Sequence, residues 1–363
     1  MASLAALLLA PGCSGDRPST DTGSEDGISD GIGEVTDGEG GEEGEEGEEG
    51  STTGVKLDMS LDTGEDAIPC GEGDFCECDI PDHSPCDAEA STPIARAMGL
   101  NCDGENQVTV TTTGSADGIG TRSSFGNQGA FPPQEGSKYA VIGSGYVSQL
   151  DGTAGCSSDL GSYDPITLPS PINSNPVNGD CLENVDLVGM GDCSSTIDSQ
   201  LNGGAYDYTE IRIVADVPST VNSFSYNLAF FSYEYPEYYG SQYNDMYIGW
   251  LESEVWTGNI SFDAEGAPIS LNAGFLDYRD ANAANDPECN GGCSAPELHG
   301  TCMEGHAGTK WLTTSAGVQP GETVTIVFAI FDMSDSILDS YAFIDNFQWG
   351  CEGDVPPETV PIG

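Results

Sequence analysis

Two sets of oxygen-bearing side chains are the first candidates for chemistry. Glu234, Glu237, Asn244 and Asp245 lie close together in a segment crowded with tyrosine. Asp332, Asp335, Asp339, Asp345 and Asn346 form a second set near the end of the chain. Hard oxygen ligands on loops between strands suit calcium, which takes about six to eight oxygens in flexible geometry. Glu234, Glu237, Asn244, Asp245, Asp332, Asp339, Asp345 and Asn346 are therefore the expected metal ligands, with Ca2+ the expected ion. Asp345 is the most informative. It shares strand phase with Phe343 and Phe347, and a carboxylate on an apolar face needs a partner. A cation, backbone amides, or a bulge that turns it outward would each serve. The tyrosines offer a different chemistry. Tyr235, Tyr238, Tyr239 and Tyr243, with Tyr233 and Trp250 nearby, could form a platform for sugar rings or a partner surface, with hydroxyls as polar handles. The competing expectation is that they pack beneath their own loop.

Catalytic signals are poor. A glycosidase uses a pair of carboxylates, and Glu234 with Glu237 is such a pair, but in a chain with 61 acids this has little specificity. His299 and His306 lack the His-Glu-x-x-His spacing of a helical zinc site. There is no Gly-x-Ser-x-Gly elbow. Cys70, Cys76, Cys78, Cys86 and Cys102, with His83 among them, lack the paired Cys-x-x-Cys knuckles of a structural zinc site. No catalytic residue is expected, and the segment 70–91 should be held by disulfides.

The elements that must position these groups read as strands. In Phe224–Phe230 the residues Phe224, Tyr226, Leu228 and Phe230 fall on one face, the period of two of a half-buried strand. Met246–Leu251 follows the acid–tyrosine loop, so that loop joins two core strands. Tyr208–Val217 places Ile211 and Ile213 inward. Thr323–Phe331 is apolar on both faces and should be central. Ala342–Trp349 is the last strand, closed by Cys351. Val108–Thr112 and Lys138–Gly143 are shorter strands, and Trp256–Leu276 reads as two more around Glu265-Gly266. Thr92–Gly99 has the signals of a short helix, with Thr92 as cap, Pro93 in the first turn and Gly99 as stop. Gly152–Gln200 and Asp277–Lys310 are long excursions carrying Cys156, Cys181, Cys193, Cys289, Cys293 and Cys302. The expected fold class is all-β, a jelly-roll-like β-sandwich with long disulfide-pinned loops.

Charge and cysteine content set the compartment and exclude one class of partner. The 363 residues carry 61 acids against 8 bases, a formal net charge of −53. Such a surface repels phosphate backbones, so no nucleic acid is expected as partner. Met1–Cys13, MASLAALLLAPGC, has an apolar core of signal-peptide length followed by small residues. It resembles a bacterial lipoprotein signal with Cys13 as the lipidation site, although Ala10 stands where leucine is preferred and no base precedes the core. Removing Cys13 from the 13 cysteines leaves an even set, which fits disulfides formed in an oxidising compartment. Residues 14–69 are acidic, Gly/Glu-rich and of low complexity, and are expected to be a disordered tether spanning roughly 40 Å on average. The domain reading is therefore 1–13 signal, 14–69 tether, 70–91 cysteine-rich segment, 92–351 sandwich and 352–363 polar tail.

The stretches FFSYEYPEYYGSQYNDMYIGWL, WTGNISFDAEGAPISLN and WLTTSAGVQPGETVTIVFAIFDMSDSILDSYAFIDNFQW resemble the choice-of-anchor L domain of bacterial surface proteins. The acid–aromatic loop, the Asn244-Asp245 pair and the terminal Ile344-Asp345-Asn346 recur in that order. Tyr233 departs from the pattern, which often has Glu or Ala there. The resemblance implies a cell-surface module carried on an anchor and brings no catalytic activity with it. The functional expectation is a non-enzymatic lipoprotein of the bacterial cell envelope. It would be held to a membrane through an N-terminal lipid and serve adhesion or binding of a surface glycan or protein, with calcium stabilising it. The alternative is a hydrolase acting on extracellular polysaccharide through loop carboxylates.

Overall fold

The computed structural model describes residues 67–69, 75–157, 160, 164–172, 197, 204–353 and 356–362. Cys13 and the segment expected to be a tether, up to residue 66, lie outside them, as do Cys181 and Cys193. Two short strands, β1 (Ala67–Pro69) and β2 (Phe75–Glu77), pair with each other. The rest is a sandwich of two antiparallel sheets. The first sheet contains β3 (Thr109–Thr113), β6 (Ala205–Asp216), β8 (Met246–Glu252), β9 (Thr257–Asn259), β10 (Ile269–Ser270) and β14 (Thr323–Met333). Its order is β10-β8-β14-β6-β3, with β9 also on β8. The second contains β4 (Ile119–Arg122), β5 (Tyr139–Gly143), β7 (Ser223–Ser232), β11 (Leu276–Arg279), β12 (Ala307–Thr309), β13 (Leu312–Gly317), β15 (Ser340–Gly350) and β16 (Glu358–Pro361). Its order is β11-β12-β7-β15-β5-β4, with β13 joining β7 to β16.

Alternation of side chains explains the layers. Phe224, Tyr226, Leu228 and Phe230 of β7 meet Ile326, Phe328 and Ile330 of β14 in the sandwich interior. Each large apolar side chain buried there contributes about 1.5–3 kcal/mol. The opposite faces are apolar too. Val327, Ala329 and Phe331 lie beneath Leu168, Ile172 and Ile197 of the first excursion. Ala229, Phe231, Tyr341 and Phe343 lie beneath Phe125, Phe131, Leu150, Leu298 and Met303. The excursions are thus outer layers, and β14 is central because both its faces are covered. The disulfides Cys156–Cys302, Cys289–Cys293, Cys86–Cys102 and Cys78–Cys351 pin these layers and the N-terminal segment.

Thr92–Gly99 is not the expected capped helix. It holds a single 3-10 turn, Arg96–Met98, with Ala95 rather than Thr92 at its N-cap. The Thr92 hydroxyl instead donates to the carbonyls of Asp87 and Glu89. Gly99 does stop it, at φ 85°.

Candidate functional site

Register brings the acids together. Antiparallel pairing sets Ser340 opposite Ser232, Tyr341 opposite Gly143, Met333 opposite Ala205 and Phe331 opposite Met246. The end of β7, the start of β15 and the end of β5 therefore share one end of the second sheet. The end of β14 and the starts of β6 and β8 share one end of the first. The residues at these ends are Glu234, Asp339, Ser340 and Ser144 on one side, and Asp332, Asp207 and Asp245 on the other. A hydrogen bond from the Ser340 hydroxyl to Asp245 Oδ2, at 2.7 Å, joins the two sides. The amide of Asp245 donates to Glu234 Oε2 at 3.0 Å. Gly145 makes room for Asp339, since a Cβ at this glycine would lie 1.9 Å from Asp339 Oδ2.

All five carboxylates are buried: Glu234 and Asp207 are 2% exposed, Asp245 and Asp332 1%, and Asp339 0%. Among the described residues no Lys, Arg or His pairs with Glu234, Asp245 or Asp332. Neither oxygen of Asp332 makes a hydrogen bond of acceptable geometry, although the Ser144 hydroxyl lies near enough to favour its charged form. Burial, then the charges of Asp339, Asp207 and Glu234, push Asp332 well above the usual carboxylate range. Burial and the charges of Asp332 and Glu234 do the same to Asp245. Burial also raises Glu234 to about 8, against the pull of the Asp245 amide. Desolvation disfavours the ionised form and like charges compound it, so these acids must take up either protons or a cation. Among the described residues, the one trio of His, Cys, Asp or Glu ligand atoms within 4.8 Å of one another is His83, Cys102 and Glu105. Cys102 is spent in a disulfide. No three sandwich-end carboxylates meet that spacing.

The remaining expected ligands lie apart from this group in role. Glu237 is exposed. Asn244 is buried beside the cluster, and its Oδ1 accepts from the Asn272 amide. Asp345 is answered by backbone amides: Oδ2 accepts from Gln134 and Glu135 at 2.6 and 3.2 Å, and Oδ1 from Asn346. Burial still raises Asp345 to about 7, with those amides pulling down. The ladder shifts between Asp345 and Gln348, and Asn346 adopts φ 54°. This bulge puts Phe343 and Phe347 in different core layers, so the shared phase expected of them and Asp345 does not hold. Asn346 hydrogen-bonds Asn227 and Gln348.

Tyr235 is buried against Leu271, Leu276 and Ala283, so it offers no open ring. Tyr238, Tyr239 and Tyr243 are half-buried, Tyr239 edge-on to Tyr235 and Tyr238 edge-on to Tyr243. The loop tip is wet at Gly240 and Gln242 while Tyr247 is fully buried.

The family assignment rests on residues 96–348, which match the choice-of-anchor L domain over most of the folded chain. The chain belongs to the choice-of-anchor L domain family. No curated protein and no solved structure matches it. A choice-of-anchor L domain marks a cell-surface-associated protein, and the four disulfides among the described residues fit an oxidising compartment. Every acid of the sandwich end lies inside the matched span.

The histidines of this choice-of-anchor L domain are kept for structure. His306 is half-buried, donates through Nδ1 to the Tyr235 carbonyl at 2.5 Å, and lies tilted against the ring of Tyr233. His299 pairs with Asp280. Asp207, Ser144 and Gly145 escaped the sequence reading. Asp207 sits at φ 45° where the β6–β14 ladder is irregular, a displacement that no local pattern marks. The Gly143-Ser144-Gly145 run directly after an apolar strand was the available signal, since consecutive small residues there announce a close approach.

Proposed function

We propose that this chain is a non-enzymatic cell-surface lipoprotein module for adhesion or ligand binding, lipidated at Cys13 and stabilised by calcium at the sandwich end. The observation that carries the calcium reading is Asp332: a fully buried carboxylate that receives no backbone amide, has only the Ser144 hydroxyl near it as a donor, and faces other buried acids and no base. An ion would draw Asp332, Asp245, Glu234 and Asp339 inward and bolt the two sheets together. Oxygen-only donors of this charge favour Ca2+ over softer metals. The hydrolase alternative has less support, because Glu234 is buried and Glu237 exposed, so that pair does not flank one cleft.

Calorimetric titration of the chelated protein tests the calcium reading. Saturable heat with a raised melting temperature is expected, and no response at millimolar calcium would remove it. A glycan array with and without EDTA, run beside a glycosidase screen, tests the class of function. Binding without turnover is expected, and turnover would favour the hydrolase. Mass spectrometry of the mature N-terminus tests the anchor: a diacylglyceryl cysteine is expected at position 13, and a free amine elsewhere would exclude it.

A further inference from the structure

A second place in the molecule has the form of a binding site and lies away from the acid cluster. A cavity of about 410 Å³ opens between residues 80–83 and the end of β15. Its polar lining includes Asp82, His83, Glu105 and Glu135. The rest is mostly apolar, with Leu100, Val108, Pro218, Phe347 and Trp349 as walls, and no Lys or Arg lines it. The frame is rigid. Disulfides Cys78–Cys351 and Cys86–Cys102 fasten both ends of the segment that carries His83. Reciprocal bonds between Asp79 and Thr220 hold it again. His83 itself is clamped between two acids, Nδ1 against Glu105 and Nε2 2.6 Å from Glu135. Gly99 lets the Glu135 carboxylate reach this position, since a Cβ there would stand 2.7 Å from Oε2. That Oε2 is shielded from water and has no hydrogen-bond donor.

We propose that this cavity is a binding site for a small organic cation: an ammonium group carried on an apolar or aromatic body. Three carboxylates against one imidazole leave the site negative whether or not His83 is protonated. Asp82 at the rim, with Glu105 and Glu135 in the wall, supplies the counter-charge for an ammonium group. An aromatic and aliphatic wall suits the body of the ligand, and aromatic rings attract cations directly. A metal ion is a poorer occupant, because both imidazole nitrogens already face carboxylates and Cys102 is oxidised. A pre-fastened wall lowers the ordering cost of binding. This site is independent of the calcium reading, and either can fail without the other.

The test uses the full chain with phenethylammonium as probe, phenylacetate and phenethyl alcohol as charge controls, and calorimetry at about 0.15 M salt, where the Debye length of about 8 Å screens the general acidity of the surface. Saturable binding of the ammonium, at least tenfold tighter than either control, is expected. Glu135→Gln should weaken it about tenfold or more. Asp82→Lys, at an exposed rim position, should weaken it likewise without touching the core, so the proposal stays testable if Glu135→Gln does not fold. Equal response to all three probes, or an ammonium affinity unchanged in Asp82→Lys, would overturn it. Tighter binding of the neutral alcohol would show an apolar pocket with no cation preference and would overturn it also.

Discussion

Asp332 and Asp263 are both buried acids, and their surroundings differ completely. Asp263 Oδ1 accepts from the amides of Glu265 and Ala267, and its Oδ2 from the amide of Gly274. Asp87 is similar, with Oδ2 taking the amide of Ser137 at 2.7 Å and that of Lys138. Asp345 also collects three amides. These carboxylates tie loops to the sandwich through backbone amides. Asp332 has no such donors. A buried charge left without partners costs several kcal/mol by general experience, so the contrast separates acids that finish the fold from acids that await a neutralising partner.

The widest separation between the two kinds should come from calcium itself. At a free concentration of 100 times Kd a ligand stabilises by about 2.7 kcal/mol, which for a domain of this size corresponds to roughly 5 °C in Tm. Scanning calorimetry in calcium and in EDTA should show that difference, and coincident melts would erase the distinction.

Asp332→Asn should collapse that difference to near zero. In EDTA the variant should melt at or above the wild type, because a neutral amide of the same shape stands where the carboxyl must otherwise take up a proton. A variant that keeps the full calcium shift would locate the ion elsewhere.

Acidity gives a third, smaller handle. In the folded protein Glu234 holds its proton up to about 8, whereas its ordinary value is 4.5. Between these values the folded state binds more protons than the unfolded one, so stability falls as pH rises through this window and levels off above it. Asp345, raised to about 7, adds in the same direction. Melts in EDTA should therefore decline from about pH 4.5 to 8, and calcium should flatten the decline by substituting for the protons. A rising trend in EDTA would contradict the buried, uncompensated state of Glu234.

The least change is expected at Asp345→Asn. Weaker amide bonds should cost about 1 kcal/mol, read as a lower urea midpoint, while the calcium shift stays as in the wild type. Loss of that shift would merge the two classes of acid into one.

The sequence carried much of this comparison. The alternation in β7 and the double apolar face of β14 announced the sandwich and its central strand, because side-chain direction follows from the backbone itself. Both acid sets were visible, and Glu234, Asp245, Asp332 and Asp339 do converge. Glu237 is closer in sequence to Asp245 than Glu234 is, yet it is exposed, because the loop turns between the two glutamates. Asp345 showed its need for a partner, but which of three solutions it adopts was invisible, since the donors come from residues 134 and 135.

What the sequence alone determined is therefore the repertoire: strands of known phase, an oxidised cysteine set, and acids at strand ends with too few bases to match them. Only the tertiary structure decided which acids share a space and which are answered by amides. Strand phase is a local property of two dihedrals per residue. Company at a strand end depends on the register of antiparallel neighbours, on the stacking of one sheet over the other, and on bulges at Asp207 and Asn346 that shift a side chain off its expected face.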